Sequence, residues 1–288
     1  MNKNNVSLYI LMLLAMFTWG IAWSNAKFIS KYNLSFNNLV FLRFFLGFIS
    51  LIPFVLINKP PFVSLNQIKH IIIPSILFFI YNIAFFKGTN LGLAGKGAIL
   101  VTTLNPLITV IIISIINKYI SKKEIIGFVL GVFGGLIIMD VFNQGFVTII
   151  DTENIYFLIC SITWGLMTIS ISYGQKMINP YLFICLCYFF TMILSIPFID
   201  LEQILYSNLD SRFYINFFFV SIGAMSFGTS VYMYSTPILG PAKASIFIFS
   251  VPFIAAITSN IFLNELITVN IIAGGLLSLM AVYIVNKK

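Results

Sequence analysis

The chain has 288 residues, of which 60% are hydrophobic, 16% aromatic and only 8% charged, with a formal net charge of +8 and a mean hydropathy of +1.03. Eight acids and sixteen bases cannot cover a soluble globule, which at this length carries about 25% charged residues, so a soluble enzyme, a nucleic-acid-binding domain and a disordered chain are excluded. A polytopic helical membrane protein remains; a β-barrel is disfavoured, because its strands alternate polar with apolar residues and the apolar runs here are continuous.

A spanning helix needs about 20 apolar residues. In chain order the candidate spans are Leu8–Ala26, Phe36–Ile57, Ile71–Leu91, Leu93–Asn117, Glu124–Val141, Ile155–Tyr173, Pro180–Ile199, Tyr214–Thr236, Gly240–Phe262 and Glu265–Val285. The first follows Lys3 and could be mistaken for a secretory leader, but Ser24-Asn25-Ala26 is a poor cleavage site, so it is read as a membrane span. The fifth is short and rich in glycine. Its Gly127, Gly131 and Gly135, echoed by Gly274-Gly275, let helices approach closely. They are read as packing within the bundle; a homodimer stays open and a monomer suffices.

With the N-terminus in the cytoplasm, Lys3, Lys59, Lys69, Lys118, Lys122, Lys123, Lys176, Lys243, Lys287 and Lys288 fall on the inner side with one acid, Glu124. Asp140, Asp151, Glu153, Asp200, Glu202, Asp210 and Glu265 fall outside, with Lys27, Lys31, Lys87, Lys96 and Arg212. Lys/Arg placement sets orientation, so both termini are expected in the cytoplasm, and the positive net charge is a topology signal rather than a sign of nucleic acid. Cys160, Cys185 and Cys187 lie inside spans and His70 is the single histidine, so no metal site, cofactor or enzyme motif is expected.

The chain repeats itself at an offset of about 145 residues. Thr18-Trp19-Gly20 returns as Thr163-Trp164-Gly165, Leu51-Ile52-Pro53-Phe54 as Ser195-Ile196-Pro197-Phe198, Ala98 and Pro106 as Ala244 and Pro252, and Gly127 as Gly274. Each unit holds five spans, and an odd number starts the second copy on the opposite side of the membrane. The expected fold is therefore all-α, ten transmembrane helices in two inverted-topology five-helix repeats, residues 1–145 and 146–288. Secondary transporters are built this way, with substrate near the midplane between repeats.

The ordered set of motifs resembles the EamA-type family of the drug/metabolite transporter superfamily. The resemblance rests on Thr18-Trp19-Gly20, on Leu42-Arg43-Phe44-Phe45, on Phe86-Lys87-Gly88 through Gly97-Ala98 to Asn105-Pro106, and on the glycine-rich fifth helix. In the second half it rests on Trp164-Gly165, Lys243-Ala244-Ser245, Val251-Pro252 and Glu265 through Gly274. It implies ten helices, cytoplasmic termini and export or exchange of small metabolites across an inner membrane. One departure stands out. Where the family often carries a glutamate shortly before the fifth helix, this chain has Lys118, while Glu265 keeps the equivalent place before Gly274.

An ionisable group inside the bilayer is costly and is a functional hypothesis by default. Arg43 lies well inside the second span and its repeat counterpart is Cys187; it reads either as a substrate-facing or gating cation or as a structural clamp on neighbouring helices. Lys87, Lys96 and Lys243 sit at span ends, where snorkelling competes with a cationic vestibule. Trp19 and Trp164 fall deep in their helices rather than in the interfacial belt. With Tyr81, Asn82, Asn105, Tyr188 and Tyr232 they are the candidate substrate-binding residues, against a plain reading as packing. Pro53, Pro106, Pro197 and Pro252 are expected each to remove a helical hydrogen bond and are read as hinges or as static kinks.

These readings predict a transporter working by alternating access, with an aromatic and electropositive cavity suited to a neutral or carboxylate-bearing metabolite such as an amino acid, since every acid lies at a span end or in a loop. A multidrug exporter is the alternative, and a membrane-embedded enzyme or scaffold lies further off. Small-molecule substrate and membrane lipids are the expected partners.

Overall fold

The computed structural model describes residues 3–61, 63–116, 118–239, 247–248 and 250–286. Among them every regular element is a helix, as lipid requires of a chain whose backbone must satisfy itself. The first half contains α1 (Lys3–Ile29), α2 (Phe36–Asn58), α3 (Leu65–Leu91), α4 (Ala94–Ile116) and α5 (Lys122–Ile138). A connector of α6 (Val141–Gln144) and a 3₁₀ turn (Phe146–Ile149) follows. The second half contains α7 (Thr152–Gly174), α8 (Pro180–Ser195) ending in a 3₁₀ turn (Ile196–Phe198), a short α9 (Leu201–Tyr206) and then α10 (Ser211–Phe218). A π-helical segment (Phe219–Thr229) leads from α10 into α11 (Ser230–Leu239), and α12 (Val251–Leu263) and α13 (Val269–Asn286) complete the chain.

Helix starts carry their own acceptors. Ser35 Oγ accepts from the Asn38 N–H at 3.1 Å, and Ser64 with Gln67 and Ser121 with Glu124 form capping boxes, each satisfying donors that a helix leaves open. Among the described residues seven helices are long and apolar enough to cross a membrane: Ser7–Ile29, Phe36–Asn58, Leu65–Leu91, Ala94–Ile116, Glu153–Ile171, Pro180–Phe198 and Ser211–Ser235. Val251–Leu263 and Val269–Ala281 are shorter apolar helices, and α5 has 17 residues. The chain is thus a multi-pass integral membrane protein. The start expected for the ninth span, at Gly240, lies outside the described residues.

Which helices touch is itself reciprocal. Taking α1 to α5 against α7, α8, the α10–π–α11 helix, α12 and α13 in order, α3 packs on α7 and α1 on the π segment; α4 packs on α7 and α1 on α12. The remaining large contacts join equivalent helices, α2 with α8, α4 with α12 and α5 with α13. The glycines explain the last pair. A Cβ on Gly134 would lie 2.2 Å from Ser278 Oγ and 2.7 Å from the Gly274 carbonyl oxygen, and one on Gly274 would lie 2.6 Å from the Gly134 carbonyl oxygen. Backbone meets backbone there, so these glycines serve packing inside the bundle.

One sequence expectation is corrected. Pro53 and Pro106 do sit inside α2 and α4, but Pro197 opens the 3₁₀ turn after α8 and Pro252 opens α12. At a first turn the missing N–H would have had no intrahelical partner, so Pro252 removes nothing from α12, whereas Pro197 sits in the last turn of the Pro180–Phe198 helix and costs it one bond as expected. Glu265, expected among the outer-face charges, is buried, at 7% exposure, because its carboxylate caps another helix.

Candidate functional site

A cavity of about 60 Å³ lies where α1, α2, α3, α4, α7 and the π segment converge. Its wall includes Trp19 and Trp23 from α1, Arg43 from α2, Tyr81, Asn82 and Phe85 from α3, Thr102 and Asn105 from α4, Trp164 from α7, and Ala224, Met225 and Thr229 from the π segment. The volume holds about four waters at ~15 Å³ each.

Arg43 is the electrostatic feature of the wall. It is 6% exposed, its Nη1 donates to Asn82 Oδ1 at 2.5 Å, and its guanidinium lies 5.3 Å from the Phe85 ring centre and 5.8 Å from that of Phe86. Asn82 is held in turn by donating through Nδ2 to the Phe78 carbonyl oxygen at 2.8 Å, which fixes its amide oxygen toward Arg43. Arg43 Nε is buried without an acceptor, and among the described residues no carboxylate pairs with this cation. A buried donor left open costs about 1–3 kcal/mol, so the site retains an unmet demand for an acceptor.

The aromatic part is built across the two halves. Trp19 and Trp164, at equivalent repeat positions, meet edge-on with ring centroids 5.5 Å apart. Trp164 also lies against Tyr81 at 5.0 Å, and Trp19 against Tyr232 at 5.2 Å. Trp19 Nε1 donates to the Ala224 carbonyl oxygen at 3.0 Å, and Tyr188 Oη donates to that of Met225 at 2.9 Å. Both acceptors lie in the π segment, whose looser winding is rare and recurs at functional sites. Gly228 allows this approach, since a Cβ there would sit 2.7 Å from Thr18 Oγ1 and 2.9 Å from the Trp19 ring.

The structure therefore brings Trp19, Arg43, Tyr81, Asn82, Asn105 and Trp164 to one cavity. Tyr188 lies behind the wall, fully buried between Phe44 and Phe78, and Tyr232 backs Trp19. Lys96 is 3.7 Å from Glu153 as an ion pair between α4 and α7, and Lys87 stands over the Tyr156 ring at 5.6 Å; neither lines the cavity. Lys243 lies outside the described residues. Among the described residues no group of three or more His, Cys, Asp or Glu could hold a metal ion.

Three features escaped the sequence reading: Thr102, Thr229 and the π-segment backbone. The hydroxyls are common types inside apolar runs and carry no pattern. Gly228 was the available signal, as a glycine inside a span marks close backbone approach.

The fold is shared with known proteins. A solved structure described as "Crystal structure of protein" matches with a TM-score of 0.63 at 14% identity over 97% of both chains; at that identity the likeness is one of fold alone. No curated protein matches. The model of the EamA-like transporter family matches twice, over residues 6–140 and 152–287, one match for each group of helices whose contacts are reciprocal. With both matches covering nearly all of a multi-pass helical bundle, the chain belongs to the EamA-like transporter family, whose members carry small molecules across a lipid bilayer.

Proposed function

We propose that the protein is a secondary transporter, exporter or exchanger, of a small neutral or carboxylate-bearing metabolite such as an amino acid. It works by alternating access between two inverted five-helix repeats, residues 1–145 and 146–288, making ten spans when α5, α12 and α13 are counted with the seven long ones. Positive-inside charge supports cytoplasmic termini in a bacterial inner membrane.

The observation that carries this reading is Arg43, buried in the cavity wall with Nη1 on Asn82 and Nε without an acceptor. A substrate carboxylate accepts from a guanidinium through charge-assisted bonds, while the rings of Trp19, Tyr81 and Trp164 meet its apolar part. A cation would face Arg43 with no acid on the wall to offset it, which disfavours a cationic-drug exporter. The cavity, about 60 Å³, is far below the ~300 Å³ at which ligand pockets begin, as expected of a contracted state that widens when the halves rock.

Proteoliposome flux tests this. Neutral amino acids and short monocarboxylates are expected to move and cationic dyes not, with Arg43→Ala losing carboxylate flux at least tenfold. Dye transport without amino-acid transport would assign the multidrug reading instead.

A further inference from the structure

The first N–H groups of any helix lack intrahelical partners. At α4 two of them are satisfied from the other half of the molecule. Ala94 N–H donates to Glu265 Oε1 at 2.9 Å and Gly95 N–H to Glu265 Oε2 at 3.0 Å. The negative carboxylate also meets the positive end of the α4 dipole. Lys27, near the end of α1, stands 3.3 Å from Glu265 Oε1 and donates to the Gly92 carbonyl oxygen. The loop that presents Glu265 is itself fixed: Asn264 takes a left-handed conformation, φ 54°, and Asn260 Nδ2 donates to the Glu265 carbonyl oxygen at 3.0 Å. Gly95 leaves room for this approach, since a Cβ there would sit 2.5 Å from Ser259 Oγ on α12. One buried carboxylate thus ties α1 and the α3–α4 turn to the α12–α13 loop at one end of the central cavity.

The register-equivalent side chain at the opposite end cannot copy this contact. The register-equivalent residue is Lys118, placed relative to Gly127 as Glu265 is relative to Gly274. A lysine ammonium has donors and no acceptor, so it cannot cap a helix start, and Lys118 is exposed.

We propose that Glu265, with Lys27 and the α4 N-terminus, is a latch that holds the Lys27 end of the transporter closed, and that Lys118, its register equivalent, supplies no such cap at the other end. Opening at the Lys27 end must separate the carboxylate from both amides, because they belong to different halves. The latch rests on the alternating-access reading above and sets its resting state, closed at the Lys27 end.

Spin-label distances test this in lipid nanodiscs. Leu91→Cys and Leu266→Cys flank the latch at exposed positions, and Leu65→Cys with Met177→Cys report the other end. The native Cys160, Cys185 and Cys187 are buried and escape labelling. The unlatched form, Glu265→Gln, is expected to raise the open-to-closed ratio of the Leu91–Leu266 pair about tenfold, as weaker neutral bonds replace charge-assisted ones, without lengthening the Leu65–Met177 pair. Lys27→Met keeps the cap and removes the ion pair, and is expected to shift the same pair less; it carries the test if Glu265→Gln does not fold. Unchanged Leu91–Leu266 distances in a folded variant, or equal lengthening at both ends, overturn the latch. Flux is measured separately: distances that respond in a protein that moves no substrate would sink the transport reading and leave the latch standing.

Discussion

Trp19 and Trp164 occupy the same position in the two sequence repeats, and their rings meet edge-on with centroids 5.5 Å apart. Equivalent residues touch only near an axis relating the two halves, so this pair marks where the halves meet, beside the central cavity. They differ in one respect that matters. Trp19 also donates its indole N–H to the Ala224 carbonyl oxygen, so one ring of the pair is bonded to the π segment.

Trp19→Phe keeps a ring in the cavity wall and deletes that bond. It should lower stability by about 1 kcal/mol, the usual net worth of one hydrogen bond, and speed amide exchange across residues 219–229. Tyr188→Phe, which frees the Met225 carbonyl oxygen, should add a similar increment in the same segment. Hydrogen-exchange mass spectrometry in nanodiscs reads both. Exchange that rises evenly through all helices would show that the two side chains do not hold the π segment in particular.

Arg43 and Asn82 predict a split between stability and transport. Asn82→Leu strands a buried guanidinium without its amide acceptor, which should cost about 1.5–3 kcal/mol, the range for hydrogen bonds to charged groups. Arg43→Met removes the charge along with its demand and should be milder, since a well-packed apolar side chain often replaces a buried polar group at little cost. The double variant should melt above Asn82→Leu alone, yet carry no carboxylate substrate. Thermal unfolding in detergent and proteoliposome flux together decide this, and a double variant as unstable as the sum of the singles would refute the pairing.

Much of this architecture is legible in the sequence. Scarce charge placed the chain in a membrane, and the Thr-Trp-Gly echo at residues 18–20 and 163–165 marked the two halves. The fate of Glu265 was not legible. Its neighbours in sequence are loop residues, while its partners are the amides of Ala94 and Gly95, 171 and 170 positions away along the chain. Hydropathy records only that a charge stands near a helix end. The π segment was equally hidden, because a change from i→i−4 to i→i−5 bonding leaves the apolar run intact. The Arg43 site was half legible: a lone cation in a span is visible from sequence, whereas its Asn82 acceptor and the open Nε appear only once α2 and α3 are packed.

Gly134 and Gly274 set the distance between α5 and α13. Gly134→Ala would drive a methyl to 2.2 Å from Ser278 Oγ and 2.7 Å from the Gly274 carbonyl oxygen. The hydroxyl can rotate away but the backbone carbonyl cannot, so the helices must separate, at about 1–3 kcal/mol for an overpacked contact. Gly145→Ala meets nothing within 4 Å, but its φ of +92° strains any L side chain, and a loss of about 1 kcal/mol is expected from the conformation alone. A melting series in detergent should place Gly134→Ala below Gly145→Ala and both below the parent. The reverse order would mean that α5 and α13 have slack at this contact.

Asp210 gives the loop near the Lys27 end a dependence on acid. Its carboxylate accepts from Tyr32 Oη at 2.5 Å and from the Phe213 N–H at 2.9 Å, and these bonds, the Tyr32 hydroxyl first, hold its pKa below the ordinary aspartate value. A carboxyl whose pKa is depressed by folding binds protons more weakly in the native state. Its stabilising contribution is therefore present above the unfolded value of about 3.9 and is lost as pH falls through the lower native value. The group is exposed, so solvent screens the effect and the expected signal is a slope. Between about pH 5 and pH 3, bracketing the unfolded aspartate value, the melting temperature of the parent should fall more steeply than that of Asp210→Asn, which cannot titrate. Tyr32→Phe should flatten the slope part of the way, because the Phe213 amide still favours the ionised carboxylate. Parallel curves for parent and Asp210→Asn would show that the Tyr32 contact does not hold this carboxylate in the folded protein.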